Sequence, residues 1–221
     1  MGFDKQKEDK FAKIRWQMVK TDLAGRDITD QGVLDVMGKI HREQFVPPNY
    51  QSQSYTDGPL PIGMGQTISQ PYIVALMTQE LKLNQNCEVL EVGTGCGYQT
   101  AILSKLAKKV YTIERYHQLC ESAQTNLAGM DIKNVEFYIG DGTCGWPGEK
   151  KFDRIIVTAA APTVPQPLIE QLVKGGIMVC PVGGSAAQRL IACKKTSAGI
   201  KEKFICDVRF VRLIGSFGFE E

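Results

Sequence analysis

Three closely spaced glycines and one carboxylate are the residues whose types and spacing most directly suggest chemistry. Gly93, Gly95 and Gly97 follow a short apolar run at residues 89–92. Glycine allows positive φ and lets a ligand approach the backbone, because no Cβ is in the way. Glu114 comes about 20 residues after Gly93, at the end of the next apolar run, where a carboxylate can accept hydrogen bonds from ribose hydroxyls. The pattern predicts a nucleotide-type binding site.

Two classes of cofactor site use such a glycine turn. A dinucleotide site prefers G-x-G-x-x-G, with a pyrophosphate on the helix N-terminus. Here the glycines read G-x-G-x-G, so the third comes one residue early. This tighter form resembles motif I of the S-adenosylmethionine methyltransferases, whose cofactor carries no phosphate. The turn alone is a weak signal, but turn, helix, strand and terminal acid together favour nucleotide-type binding over a purely structural turn.

A second acid, Asp141, lies between Gly140 and Gly142, directly after the alternating segment at residues 135–139. An acid after the third strand of this type of sheet typically contacts the adenine amino group. A turn residue flanked by glycines is an equally good interpretation of the spacing alone.

Ser69 also has two interpretations. It lies near the end of the stretch of residues 41–71, which is rich in Pro, Gly, Ser and Gln and lacks regular periodicity. Long loops of this kind are uncommon in compact domains unless they are lids or binding loops. Serine shortly before Pro71 also predicts the N-cap of a helix, and spacing alone favours the cap over a role in chemistry.

Helical spacing at the N-terminus predicts two helices. Phe11, Ile14 and Met18 share one face of a helix that ends near Gly25, and Asp30 is the predicted N-cap of the second helix. These helices precede the core, and we expect them to form a cap over it.

From residue 71 onward, predicted helices and strands alternate, with one helix ending near Gly129 and another closed by Gly175 and Gly176. The predicted strands after Glu114 are residues 135–139, 152–159, 177–182, 189–195 and 203–213. We therefore predict an α/β fold: a Rossmann-like, doubly wound, mostly parallel sheet with an N-terminal helical cap and an antiparallel edge hairpin. We expect one domain over residues 1–221, with residues 1–70 as cap and substrate loop and 71–221 as core.

The composition excludes several other classes. A net charge of +2 gives no broad attraction to nucleic acid, and no apolar run approaches the ~20 residues of a membrane span. Seven widely spaced cysteines without a C-x-x-C pair, and only two histidines, argue against a disulfide framework and a metal site. The charged start lacks the apolar segment of a signal peptide. We expect a cytoplasmic monomer that needs no metal and binds neither nucleic acid nor membrane.

Two longer stretches are together similar to the protein-L-isoaspartate O-methyltransferase family. GQTISQP, residues 65–71, is the most telling element, and VLEVGTGCGYQTAILS, residues 89–104, matches the family's version of motif I. The resemblance runs from about Arg15 to about Leu213, nearly the whole chain. His41 and Arg212 stand where many relatives have proline.

The resemblance implies a protein repair enzyme. Such an enzyme transfers a methyl group from S-adenosylmethionine to the free α-carboxyl group of L-isoaspartyl residues in proteins and peptides. The methyl ester then forms a succinimide, whose hydrolysis returns some normal aspartate. Carried over residue by residue, the resemblance implies Ser69 as the active-site serine. It implies as cofactor-binding residues Thr67, Ile68, Glu91, Gly93, Thr94, Gly95, Gly97, Glu114, Asp141 and Gly142.

Two alternatives stay open on the sequence. A nucleic-acid or small-molecule methyltransferase would share the glycine turn, although the chain has no N-P-P-Y-type motif and no basic, aromatic-rich arm. A non-catalytic module that binds S-adenosylmethionine would also share it, and is disfavoured because both motifs are complete.

Overall fold

The computed structural model describes residues 5–184 and 187–221. Its centre is a seven-stranded sheet, and a separate two-stranded hairpin precedes it. The hairpin strands are β1 (Leu60–Gly63) and β2 (Gln66–Ile68), and the sheet strands are β3 (Glu88–Val92), β4 (Lys109–Glu114), β5 (Val135–Ile139), β6 (Phe152–Val157), β7 (Leu172–Gly183), β8 (Gln188–Thr196) and β9 (Gly199–Val208). The helices are α1 (Lys5–Gln17), α2 (Gln31–Met37), α3 (Pro71–Leu81), α4 (Tyr98–Leu106), α5 (His117–Ala128) and α6 (Gln166–Gln171).

The sheet has the order β5-β4-β3-β6-β7-β8-β9. Strands β3 to β7 are parallel, whereas β8 and β9 are antiparallel additions at one edge. Because β4 and β6 lie on opposite sides of β3, the chain winds away from β3 in both directions. A crevice forms at the carboxyl end of a strand where the winding reverses in this way. The predicted mostly parallel, doubly wound sheet with an antiparallel edge hairpin is confirmed.

The apolar core occupies both faces of the sheet. Val89 belongs to the cluster that includes Phe11 and Leu23 of the N-terminal helical segment, whereas Leu90 belongs to the cluster on the opposite face. Successive side chains of a strand point to opposite faces, so a buried parallel strand must be apolar on both. The N-terminal cap therefore packs on one face of the sheet through a shared core.

The segment of residues 41–71 is more regular than its composition indicated. It contains two short 3₁₀ helices, Arg42–Phe45 and Pro48–Gln53, followed by the β1–β2 hairpin. The predicted N-cap at Asp30 is confirmed, since its Oδ1 accepts a hydrogen bond from the Val33 N–H at 3.1 Å. The predicted cap at Ser69 is wrong: Gln70 holds the N-cap position of α3, without a side-chain cap.

Two predicted boundaries near the C-terminus were also wrong. The helix expected to close at Gly175 and Gly176 ends at Gln171, and β7 already begins at Leu172. Leu172 pairs with Phe152, and the two glycines form an irregularity in the ladder, where Gly175 has φ +84°. The last strand ends at Val208 instead of continuing to residue 213. The chain then turns back, and Arg212 forms a parallel bridge with Ala160.

Candidate functional site

A cleft of about 970 Å³, counting the space that opens to solvent, lies at the carboxyl edge of the sheet. Its wall combines the β1–β2 hairpin, the turn after β3, the ends of β4 and β6, and residues 211–214. Ligand sites of open α/β sheets lie in such a crevice, at the carboxyl ends of the strands. The crevice expected from the strand order is therefore the main candidate site.

The glycine turn forms the floor of this cleft. Gly93 has φ +96°, and a Cβ at that position would lie 2.3 Å from Thr158 Oγ1. Gly95 has φ +55°, and a Cβ there would be 3.3 Å from Ile62 Cδ1 of the hairpin. Both the backbone angle and the close neighbours exclude a larger side chain at Gly93. Gly93, Thr94 and Gly95, which are predicted to bind the cofactor, all line the cleft.

Glu114 lies at the end of β4 beside this turn, and its side chain is almost completely buried. Its Oε2 accepts a hydrogen bond from the Gly95 N–H at 2.8 Å, and its Oε1 accepts one from the Tyr116 N–H at 3.0 Å. These bonds fix the carboxylate at the cleft wall. A carboxylate has about four lone-pair sites, so it retains acceptor capacity for ligand hydroxyls.

Ser69 also lines the cleft, in the two-residue link between β2 and α3. Its carbonyl oxygen accepts a hydrogen bond from Arg42 Nη2 at 2.7 Å. Within the described residues its hydroxyl makes no hydrogen bond, consistent with the finding that Gln70 is the N-cap. Thr67 and Ile68 line the cleft with it. The structure thus brings the predicted serine and the predicted glycine turn into one cleft.

Glu91 is a predicted binding residue that does not line the cleft. It lies within β3, is fully buried, and its Oε2 accepts hydrogen bonds from the hydroxyls of Thr100 at 2.5 Å and Thr112 at 2.7 Å. Burial raises the pKa of the Glu91 carboxyl to about 8, although the two threonine hydrogen bonds act in the opposite direction. Thr112 also shares a hydrogen bond with Thr94 of the glycine turn. Glu91 is therefore linked to the turn through Thr112.

Gly97 and Asp141 also lie outside the cleft wall. A Cβ on Gly97 would come within 2.6 Å of Leu127 Cδ1, so glycine is required there for helix packing. Asp141 Oδ1 accepts from Thr143, and Oδ2 accepts from the Ser216 N–H at 2.7 Å. Burial would raise the pKa of Asp141, but these hydrogen bonds lower it below its ordinary value. Asp141 therefore holds the C-terminal segment through Ser216. Its neighbour Gly142, which is predicted to bind the cofactor, lines the cleft.

Sequence reasoning missed several residues of this site. Residues 211–214 line the cleft because the chain turns back after β9. No local sequence pattern indicates that return. Arg42 and Tyr98 were also missed, since an arginine in a polar stretch and an aromatic residue at a helix start predict nothing special. Only the extent of the family resemblance, which reaches both segments, could have pointed to them.

The described residues limit the chemistry that the cleft can perform. Its lining contains no His, Lys or Asp side chain among the residues that the structure describes. In the same ranges, no group of three or more His, Cys, Asp or Glu side chains is arranged to hold a metal ion. None of the described helices has the length and apolar character needed to cross a membrane. The site can therefore hold and orient ligands, but offers no histidine or lysine as a general base.

Comparisons with known proteins identify the family of this chain. The family model of protein-L-isoaspartate(D-aspartate) O-methyltransferase matches residues 15–217. The chain is 48% identical over 210 residues to protein-L-isoaspartate O-methyltransferase 1 of Syntrophobacter fumaroxidans, covering 95% of this chain and 98% of the relative. It is 50% identical over 206 residues to the Methanoregula boonei protein-L-isoaspartate O-methyltransferase, covering 93% and 95%.

Solved structures agree as well. One protein-L-isoaspartate O-methyltransferase superposes with a TM-score of 0.81 at 29% identity, covering 93% of this chain and 66% of that one. A second, from Plasmodium falciparum and in complex with S-adenosyl-L-homocysteine, gives a TM-score of 0.78 at 24% identity, covering 90% and 98%. The second supports the fold alone, but the family model and the relatives cover nearly the full length, and the chain belongs to the protein-L-isoaspartate O-methyltransferase family.

Proposed function

We propose that this protein transfers the methyl group of S-adenosylmethionine to the free α-carboxylate of L-isoaspartyl residues in proteins and peptides. The observation that carries the proposal is the single cleft into which the glycine turn, Glu114 and Ser69 all face. The glycine turn and Glu114 suit the cofactor, and Ser69 suits an anionic acceptor. Family membership supports the same activity.

The cleft fits S-adenosylmethionine by its chemistry. Glu114 supplies a fixed, charged acceptor for ribose hydroxyls, and the backbone of Gly93 and Gly95 is open to close approach because no Cβ intervenes. Val92, Ile113 and Leu213 provide apolar surface for a flat ring. When bound, the cofactor supplies an activated sulfonium methyl group.

This chain's own residues have little proton chemistry to perform. A carboxyl group with a pKa near ~4 is already ionised at neutral pH, so the acceptor needs no general base. This requirement matches a cleft without histidine or lysine in the described lining. What the residues must do is orient the carboxylate and exclude water from it. We assign the orienting role to the Ser69 hydroxyl.

We expect Glu114→Ala to weaken S-adenosylmethionine binding by roughly 1–3 kcal/mol, because buried ribose hydroxyls lose a charged acceptor. Calorimetry on the folded variant measures this change. Glu136→Ala is the matched control, since Glu136 is an exposed carboxylate of the neighbouring strand that pairs with Lys109. Unchanged affinity in folded Glu114→Ala protein would remove Glu114 from the site.

Substrate choice tests the proposed activity directly. An isoaspartyl unit presents a free carboxylate on its α-carbon. A normal aspartyl unit has an amide at that position, so it presents no nucleophile there, and its free carboxylate lies on the side chain. We expect radiolabel transfer from S-adenosylmethionine to an isoaspartyl peptide and almost none to the sequence-matched aspartyl peptide or to RNA. Equal rates on the two peptides would reject the specificity, and transfer only to RNA would favour a nucleic-acid methyltransferase.

We further propose that the chain is one domain and acts as a cytoplasmic monomer. The shared core, in which Phe11 and Leu23 join Val89 and Val110 of the sheet, supports a single cooperative unit. A single unfolding transition seen by both near- and far-ultraviolet circular dichroism would support one domain. Sedimentation at several concentrations measures the oligomeric state, and a dimer mass throughout would contradict the monomer.

A further inference from the structure

A buried arginine with no carboxylate partner lies behind the Ser69 wall of the cleft. Arg42 is 0% exposed. Its Nε donates to the Ser54 carbonyl at 2.7 Å, and its Nη2 donates to the Ser69 carbonyl at 2.7 Å. Its Nη1 has no hydrogen-bond partner in the described part of the chain.

The same guanidinium contacts a second residue of the cleft wall. Its Cζ lies 4.8 Å from the centroid of the Tyr98 ring, and Tyr98, like Ser69, lines the cleft. The Tyr98 hydroxyl is buried and also lacks a hydrogen-bond partner among the described residues. Arg42 is therefore held between two residues that a bound ligand would touch.

The charge of Arg42 is not compensated locally. Across residues 10–184 and 187–221, whose side chains the structure describes, no carboxylate oxygen forms an ion pair with it within 4.0 Å. Burial lowers the pKa of Arg42, with no carboxylate among the main causes that raise it. Arginine nevertheless stays protonated in proteins, so a positive charge persists here.

Arg15 in the same cap shows the contrast. It is also buried, and its Nε donates to the Gly38 carbonyl at 2.9 Å. Its Nη1 lies 3.9 Å from Glu43 Oε1, so its charge is paired. A buried charge is strongly unfavourable unless an opposite charge or full hydrogen bonding compensates it. Arg42 is the one of the two that an anion in the cleft would stabilise.

We propose that Arg42 contributes to the preference of this site for a negatively charged acceptor group, beside Arg115 and Arg212, which line the cleft. It positions Ser69 through the Ser69 carbonyl, and its uncompensated charge makes the adjacent part of the cleft favourable for a carboxylate over a neutral carboxamide of the same shape. Arg42 is a positioning residue, since it acts through Ser69 and Tyr98 and does not itself line the cleft. The inference rests on the proposed function.

The test compares two peptides that differ only in charge. One carries an isoaspartyl unit with a free α-carboxylate, and the other carries the α-carboxamide at the same place. Calorimetry measures their dissociation constants with S-adenosylhomocysteine present, so that no methyl transfer occurs. The quantity of interest is the ratio of the two constants, because a general loss of stability or packing weakens both peptides together.

We expect the wild-type protein to prefer the carboxylate, and Arg42→Met to reduce that preference about tenfold, by comparison with loss of a charge pair at an interface. Arg42→Lys should retain most of the preference, because it keeps the charge. Arg15→Met is the matched control: it removes a buried but paired arginine and should leave the ratio unchanged. Unchanged S-adenosylmethionine affinity shows that each variant is folded.

A folded Arg42→Met protein with the wild-type ratio would overturn the inference. If that variant does not fold, Arg42→Gln removes the charge while keeping a donor for one carbonyl. If neither neutral variant folds, loss of the preference in folded Arg42→Lys would overturn the argument from charge. Failure of the proposed function looks different, since the wild-type protein itself would then show no carboxylate preference and no transfer to the isoaspartyl peptide.

Discussion

Replacement of Ser69 by alanine is expected to lower the rate of methyl transfer to an isoaspartyl peptide about ten- to a thousandfold, as for removal of a preorganised hydrogen-bond donor elsewhere. The physical reason is the loss of a hydroxyl that makes no hydrogen bond within the described residues and belongs to a residue that lines the cleft. It would donate a hydrogen bond to one carboxylate oxygen and hold the acceptor toward the methyl group.

An effect of Ser69→Ala on the rate can be separated from an effect on stability, because Ser69 does not cap α3. The N-cap position belongs to Gln70, and no side-chain cap is present. Loss of a capping serine would cost about 1 kcal/mol of stability, whereas here we expect little change in the melting temperature. Thermal melting and transfer rates should be measured on the same sample of Ser69→Ala protein.

Ser52→Ala is the matched control for this substitution. Ser52 is exposed in the same polar stretch, before the hairpin, and makes no hydrogen bond among the described side chains. It should keep both the rate and the melting temperature of the wild-type protein. If folded Ser69→Ala protein transfers methyl groups at the rate of Ser52→Ala protein, the assignment of Ser69 as the orienting residue is wrong.

Between about pH 5 and pH 8, Glu91 is expected to reduce the free energy of unfolding by about 1 kcal/mol per pH unit as pH rises. Burial raises the pKa of the carboxyl to about 8 in the folded protein, from an ordinary value of 4.5. In this range the folded state binds more protons than the unfolded state at this group. Its stabilising contribution is therefore full below about pH 4.5 and is lost as pH rises through about 8.

Glu91→Gln isolates this contribution, because glutamine keeps the shape of the side chain but does not titrate. Chemical denaturation at several pH values should show the variant gaining stability relative to wild type as pH rises toward 8. Glu88→Gln is the control: Glu88 lies on the same strand, but hydrogen bonds from Lys150 and Lys108 lower its pKa. That substitution should not change the slope above pH 6. Parallel wild-type and Glu91→Gln curves would contradict the raised pKa.

The order of elements was predictable because it depends on local patterns. Apolar runs define β3, which ends at Gly93, and β4, which ends on an acid. That acid reaches the turn in the structure, with Glu114 Oε2 2.8 Å from the Gly95 nitrogen. A parallel pair with a helical crossover leaves few other arrangements for such a turn and such an acid. The central part of the cleft thus follows from residues close in sequence.

The distinction between residues that line the cleft and residues that support it was not predictable in the same way. Glu91, Gly97 and Asp141 belong to the same motifs as the lining residues. Glu91 faces Thr100 and Thr112 inside the protein, and Gly97 is pressed against Leu127. Asp141 is engaged by Ser216. Each of these outcomes depends on a neighbour from another element.

Local sequence patterns were sufficient to predict the fold class, the glycine turn with Glu114, and the family to which both motifs belong. The folded structure was needed to show that Gln70 and not Ser69 is the N-cap, that residues 211–214 return to the cleft, and that Arg42 is buried without a carboxylate partner among the described side chains. The physical reason is the range of the interactions. Periodicity and turn chemistry act between residues a few positions apart, whereas burial, pairing of charges and the edge of a cleft arise from contacts between segments that are distant along the chain.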